Sequence, residues 1–141
     1  MSNKTKNMHK DIVTDYYWEH CKKEKLIIQY CNDCKRYQYP PNLLCRHCLS
    51  KEITWKESDG SGEIYSYSVV HRPPSAFFKP FVPYVVSLVK LEEGVMMESW
   101  IINGLDKESS LQIGTRVKLA FKDFESYKLP VFEITDSAGW E

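Results

Sequence analysis

The apolar positions of this chain fall first at helical and then at strand spacing. Between residues 11 and 24, Ile12, Val13, Tyr16, Tyr17 and Cys21 recur close to i, i+4, with Asp11 near the start and Lys22 and Lys23 near the end, which predicts a helix. Trp18 lies off that stripe. Lys25 to Tyr30 alternates and is rich in β-formers, and Ile53 to Lys56 does the same more briefly, so two strands are predicted around an aperiodic segment. Within that segment, Tyr37-Gln38-Tyr39-Pro40-Pro41 has no helical repeat, and its paired prolines hold the backbone extended.

Asp59-Gly60-Ser61-Gly62 punctuates the chain, and beyond it the pattern is β throughout. Glu63 to His71, Tyr84 to Leu91, Val95 to Ile102, Thr115 to Phe124 and Val131 to Thr135 read as five strands. Glu92-Glu93-Gly94 is a tight hairpin, and Asn103 to Gly114 is the one longer connection, opened by an Asn103-Gly104 turn. That order is expected of a small Greek-key barrel of the OB type, in which closure removes exposed edges. An open five-stranded meander or sandwich is the runner-up, which strand count alone leaves open. The fold class is therefore mainly β, divided into a tail and helix (1–24), a metal ribbon (25–58) and a barrel (59–141).

Arg72 to Pro83 is the least ordinary loop. Its four prolines restrict the backbone, while Phe77, Phe78 and Phe81 stand where turn chemistry places polar residues. The rings either fold back over the barrel mouth or form a preorganised apolar surface for a protein or an acyl ligand.

The strongest chemical signal is the pair Cys31-Asn-Asp-Cys34 and Cys45-Arg-His-Cys48. Each C-x-x-C can turn as a knuckle with both sulfurs on one side, and together they offer four thiolates at tetrahedral corners. Zinc suits an all-sulfur cage, and iron is chemically admissible there. The flanking strands would clasp the ion, with the Tyr-Pro-Pro loop wrapped over it. Paired disulfides are the alternative, but Met1-Ser2-Asn3-Lys4 leads into no apolar signal region, and a fifth cysteine, Cys21, would stay unpaired. A reducing, cytoplasmic setting is expected, with no chemical role for Cys21.

Composition adds limits. Apolar residues make up 43% of the chain, yet no run approaches the about 18 that a membrane span needs. Net charge is zero, but residues 1–56 hold 11 Lys/Arg against 6 Asp/Glu, whereas residues 57–141 hold 8 against 13. An acidic barrel is poorly equipped to track a phosphate backbone, which weighs against nucleic-acid binding despite the aromatic content.

In its order of helix, C-x-x-C, Tyr-Pro-Pro, C-x-x-C, Gly-x-Gly and barrel, the chain resembles the acyl-CoA-associated family with an N-terminal rubredoxin-like zinc ribbon and a C-terminal OB-fold. The resemblance runs through Tyr17-Trp18-Glu19, Leu26, Tyr39-Pro40-Pro41, Gly60-Ser61-Gly62-Glu63-Ile64-Tyr65, Pro83-Tyr84-Val85-Val86, Val89 to Gly94 and Ile113-Gly114-Thr115-Arg116-Val117. Lys35 stands where the family pattern usually has glycine, and Asn42 where a basic residue commonly follows the prolines. The resemblance implies a companion of thiolase-fold enzymes that make or break carbon–carbon bonds on acyl-CoA, and sometimes of hydratases or aldolases. The reactive groups then belong to the partner.

This chain's own residues agree. A closed S₄ site leaves no position to activate water, and no nucleophile motif, P-loop or dinucleotide fingerprint is present. Among the histidines, only His71 beside Arg72 draws interest as a ligand contact. The expected partner or acyl-CoA contacts are Trp18, His71, Arg72, Phe77, Phe78, Lys79 and Phe81, and phosphate contacts would come from Lys35, Arg36, Arg46, Arg72 and Lys79. The expected function is a non-catalytic accessory subunit of an acyl-CoA acyltransferase complex. A nucleic-acid binder and an independent small enzyme are the competing classes.

Overall fold

In the computed structural model, residues 12–106, 110–124 and 127–135 are described. Helix α1 (Ile12–Lys22) buries Tyr17 and Cys21, one turn apart, as the apolar stripe requires. The amides of Glu24 and Lys25 bond back to the carbonyls of Cys21 and His20, at 2.8 and 2.9 Å. Glu24 takes φ 60°, so the helix ends in a left-handed cap.

Strand β1 (Ile27–Cys31) lies between β2 (Tyr37–Gln38) and β3 (Ile53–Glu57), antiparallel to both. β2 falls inside the stretch read from its prolines as an extended loop. The two residues ahead of Tyr39-Pro40-Pro41 pair with Tyr30 and Gln29 of β1, a partner that the local pattern does not show. Leu26, Ile28 and the helix's Tyr17 and Cys21 are buried within this part of the chain.

The chain divides into two compact units, one reaching Asp59 and including Lys122–Leu129, the other Gly60–Phe121 with the chain from Pro130 onward. From Ser61 onward, β4 (Ser61–Val70), β5 (Tyr84–Leu91), β6 (Met96–Trp100), β7 (Arg116–Phe124) and β8 (Tyr127–Ile134) form a sheet in the order β6-β5-β4-β7-β8. Ile101, one residue past β6, makes a parallel bridge to Phe132 of β8. That bridge joins the two ends of the sheet into a nearly closed Greek-key barrel, the OB arrangement, and excludes the open meander. Side chains complete the seam. Asn103 receives the Ile134 amide at 2.8 Å and donates to its carbonyl at 3.1 Å, while the Ser99 hydroxyl donates to the Pro130 carbonyl at 2.7 Å.

Glycine chemistry explains the barrel entry. A Cβ on Gly62 would lie 2.6 Å from the Lys90 carbonyl oxygen, and Gly60 adopts φ +77° hard against Leu119. β4 carries a bulge between Ile64 and Ser66, which re-aims the rest of the strand. The strand ends at Val70, one residue short of its expected end at His71.

On β5, Val85, Ser87, Val89 and Leu91 face the core and are buried, so Tyr84, Val86, Leu88 and Lys90 face outward. The proline-rich loop contains a short 3₁₀ helix (Ala76–Phe81) that local sequence periodicity did not signal.

Candidate functional site

The two cysteine pairs fold as near-copies. In the first, the Lys35 amide bonds to the Cys31 carbonyl and the Cys31 amide to the Arg36 carbonyl; in the second, Leu49 bonds to Cys45 and Cys45 to Ser50, all at 2.9 Å. Each knuckle turns through a left-handed residue, Lys35 at φ 63° and Leu49 at φ 64°. The knuckle forms without the glycine usual at position 35, because the paired backbone bonds hold an angle that a non-glycine residue adopts at a cost of about 1–2 kcal/mol.

The result is a four-sulfur cluster with every pair of sulfurs within 4.8 Å, and with Cys31···Cys48 and Cys34···Cys45 both at 3.6 Å. Tetrahedral zinc with bonds of about 2.3 Å would set its sulfurs ~3.8 Å apart, so the geometry fits the ion. Cys31 and Cys45 are buried, Cys34 is half-buried and Cys48 is exposed. Backbone amides are aimed at the buried sulfurs, from Cys34 to Cys31 at 3.4 Å and from His47 to Cys45 at 3.3 Å. The Cys34 amide is the main reason the Cys31 thiol sits below its ordinary pKa. Burial opposes ionisation of Cys45, but the amides of Cys48 and His47 outweigh it and bring the thiol to about 7. Cys34 is pushed up to about 12, by burial first and then by the neighbouring thiols. A central divalent cation removes that conflict by holding all four as thiolates. The cluster is a structural zinc site.

Buried amides shape the loop beside it, and sequence periodicity gave no sign of them. Gln29 and Gln38 are each only 3% exposed. Gln38 donates to Gln29 Oε1 at 2.7 Å and to the Leu44 carbonyl, and accepts from the Arg46 amide at 2.8 Å. Gln29 in turn holds Asn42 through both its backbone amide and its carbonyl, each at 2.8 Å. The loop from Tyr39 to Arg46 is thus tied at both ends to β1 and β2. Asn42, where a basic side chain would be usual, serves this network through its backbone.

The remaining expected contacts are dispersed. Trp18 packs edge-on against Tyr17 and Tyr127. Among the basic residues, Arg36 contacts His47 Nδ1 at 3.2 Å and Arg46 donates to the Pro40 carbonyl at 3.0 Å, whereas Lys35 is exposed. His71, Arg72 and Lys79 are exposed around the aromatic loop. Phe77 contacts both Phe78 and Phe81, and Phe78 and Phe81 reach Trp100, which stacks on Tyr84 at 4.3 Å. Cys21 is fully buried, and burial pushes its thiol up to about 12, which makes it inert.

A zinc ribbon and an OB barrel in one chain define a recognised class. Residues 18–54 match the family model described as ChsH2, rubredoxin-like zinc ribbon domain, and residues 55–122 match ChsH2, C-terminal OB-fold domain. The chain is 33% identical over 107 residues to a DUF35 domain-containing scaffold protein of Methanocaldococcus jannaschii, covering 74% of each. It therefore belongs to the DUF35 family of ribbon-plus-barrel, acyl-CoA-associated proteins. A probable enoyl-CoA hydratase alpha subunit of Thermomonospora curvata is 36% identical over 83% of this chain, which spans about a third of that relative (36%). Among solved structures, the Ltp2-ChsH2(DUF35) aldolase superposes with a TM-score of 0.76 at 34% identity, covering 89% of this chain and 97% of that one.

Proposed function

We propose that this chain is a non-catalytic accessory subunit that holds a thiolase-fold enzyme acting on acyl-CoA and helps shape the passage for the CoA arm. The observation that carries the reading is the zinc site: four thiolates fill a tetrahedral ion, so no position remains to activate water or polarise a carbonyl. Outside that cluster, the one other cysteine is buried and inert. The described histidines, His20, His47 and His71, converge on no nucleophile. The similar proteins support the reading by their names, which include scaffold proteins, an aldolase and a hydratase alpha subunit. Among the described residues, no helix is long and apolar enough to cross a membrane.

The test is an acyl-CoA carbon–carbon cleavage assay on the chain alone, on a thiolase-fold chain from the same genome alone, and on the two together. The reading expects turnover only where the thiolase-fold chain is present, with stability or rate raised by this chain. Turnover by the isolated chain would overturn it.

A further inference from the structure

The four zinc ligands do not meet solvent alike. Cys31 and Cys45 are buried, Cys34 is half-buried, and Cys48 alone of the four is exposed. A bound cation keeps each sulfur as a thiolate, which is the form that attacks oxidants. The buried sulfurs are also covered by hydrogen bonds: the amides of Cys34 and Asp33 point at Cys31, and those of Cys48 and His47 at Cys45. Such bonds draw charge from sulfur and blunt its attack. A second sulfur lies within reach of the exposed one. Cys31 Sγ is 3.6 Å from Cys48 Sγ, and Cys34 Sγ is 3.6 Å from Cys45 Sγ, so the cluster divides into two pairs that each join one knuckle to the other. Cys31 ends β1, held there by pairing with Ile53 and by the bond from its amide to the Arg36 carbonyl at 2.9 Å. A disulfide to Cys48 would need the two sulfurs to close by about 1.5 Å. An accessible thiolate with a fixed partner thiolate in contact is the arrangement that oxidant-sensing cysteines share.

We propose that Cys48 is a site of reversible oxidation by peroxides, and that Cys31 resolves it into a disulfide that releases the ribbon's zinc. The Cys48 thiolate attacks one peroxide oxygen, so that an S–O bond forms, the O–O bond breaks and hydroxide leaves. The Cys31 thiolate then attacks the Cys48 sulfenic acid, forming the S–S bond and expelling a second hydroxide. Two thiolates are oxidised by two electrons, and one hydrogen peroxide is reduced to two hydroxides. Cys34 and Cys45 remain as two ligands where a structural zinc takes four, so the ion is lost. Cys21 is fully buried and takes no part. This chemistry needs no partner chain.

The test treats the zinc-loaded full chain with limiting hydrogen peroxide and follows zinc release with a chromogenic chelator. Remaining thiols are blocked with N-ethylmaleimide in denaturant, and crosslinks are mapped by mass spectrometry after trypsin, whose cut at Arg46 puts Cys45 and Cys48 on separate peptides. The first crosslink is expected to be Cys31–Cys48, with Cys34 and Cys45 blocked as thiols and zinc released in step with the disulfide. Dithiothreitol and added zinc are expected to restore one zinc per chain. Cys48→His replaces the exposed sulfur by a nitrogen that zinc also accepts, and is expected to keep zinc and circular dichroism while releasing the ion to peroxide at least ~10-fold more slowly. Cys34→His is expected to release it at the wild-type rate. If Cys48→His fails to hold zinc, the crosslink map of the wild type decides alone. A first crosslink within either C-x-x-C pair or at Cys34, zinc-loaded Cys48→His that loses its ion as fast as the wild type, or oxidation that dithiothreitol does not reverse would overturn the proposal.

Discussion

Two buried glutamines decide the shape of the loop beside the zinc. Because Gln38 holds Gln29, Leu44 and Arg46 at once, its replacement by leucine leaves the Arg46 amide and the Leu44 carbonyl without their partner. Each orphaned group costs about 1–3 kcal/mol, so Gln38→Leu is expected to lower the urea midpoint by the equivalent of ~2–4 kcal/mol. At Lys35 two small effects oppose each other. Glycine would release the ~1–2 kcal/mol left-handed cost but add about 0.4–1 kcal/mol of unfolded-chain entropy, so Lys35→Gly is expected to stabilise by roughly 0.5–1 kcal/mol in the same assay. The four ligands were legible in the sequence because a two-residue gap between cysteines constrains local backbone. The glutamines were not, because their burial is created by a loop closing over them, and nothing periodic marks a polar residue that will be enclosed.

At the level of elements, alternation exposed the barrel strands, since side-chain period is a local property of the chain. Their pairing is not local, and there the structure adds most. The bulge after Ile64, the parallel contact of Ile101 with Phe132 and the start of β8 at Tyr127 rather than Val131 depend on partners distant in sequence. The 3₁₀ helix was hidden for another reason: its loop read only as proline-restricted backbone, whereas its phenylalanines find a platform only once Tyr84 is aimed outward by the pleat of β5. Gly62 tests the entry to the barrel. A methyl group there meets backbone of the neighbouring strand, not a flexible side chain, so Gly62→Ala is expected to destabilise by about 1–3 kcal/mol, read as a lowered thermal midpoint.

For the molecule as a whole, zinc is expected to be needed for folding, with no part in turnover. Removing one ligand by Cys31→Ser takes a buried thiolate from the ion, and the variant is expected to lose stoichiometric zinc and to unfold its ribbon. Elemental analysis and circular dichroism would show this together. A variant that keeps one zinc per chain would contradict it. Family membership was visible from the order of motifs, because spaced cysteines and glycines survive in sequence what strand pairing does not reveal. The barrel seam carries a consequence of its own. Where β6 meets β8 the wall is fastened by one rung and a few side-chain stitches from Asn103 and Ser99, whereas β4 and β5 share a long ladder. A cylinder laced so lightly along one line opens there before it opens anywhere else. Deuterium should therefore enter the Ile102 amide well ahead of the amides along β5, marking the fold's own zip.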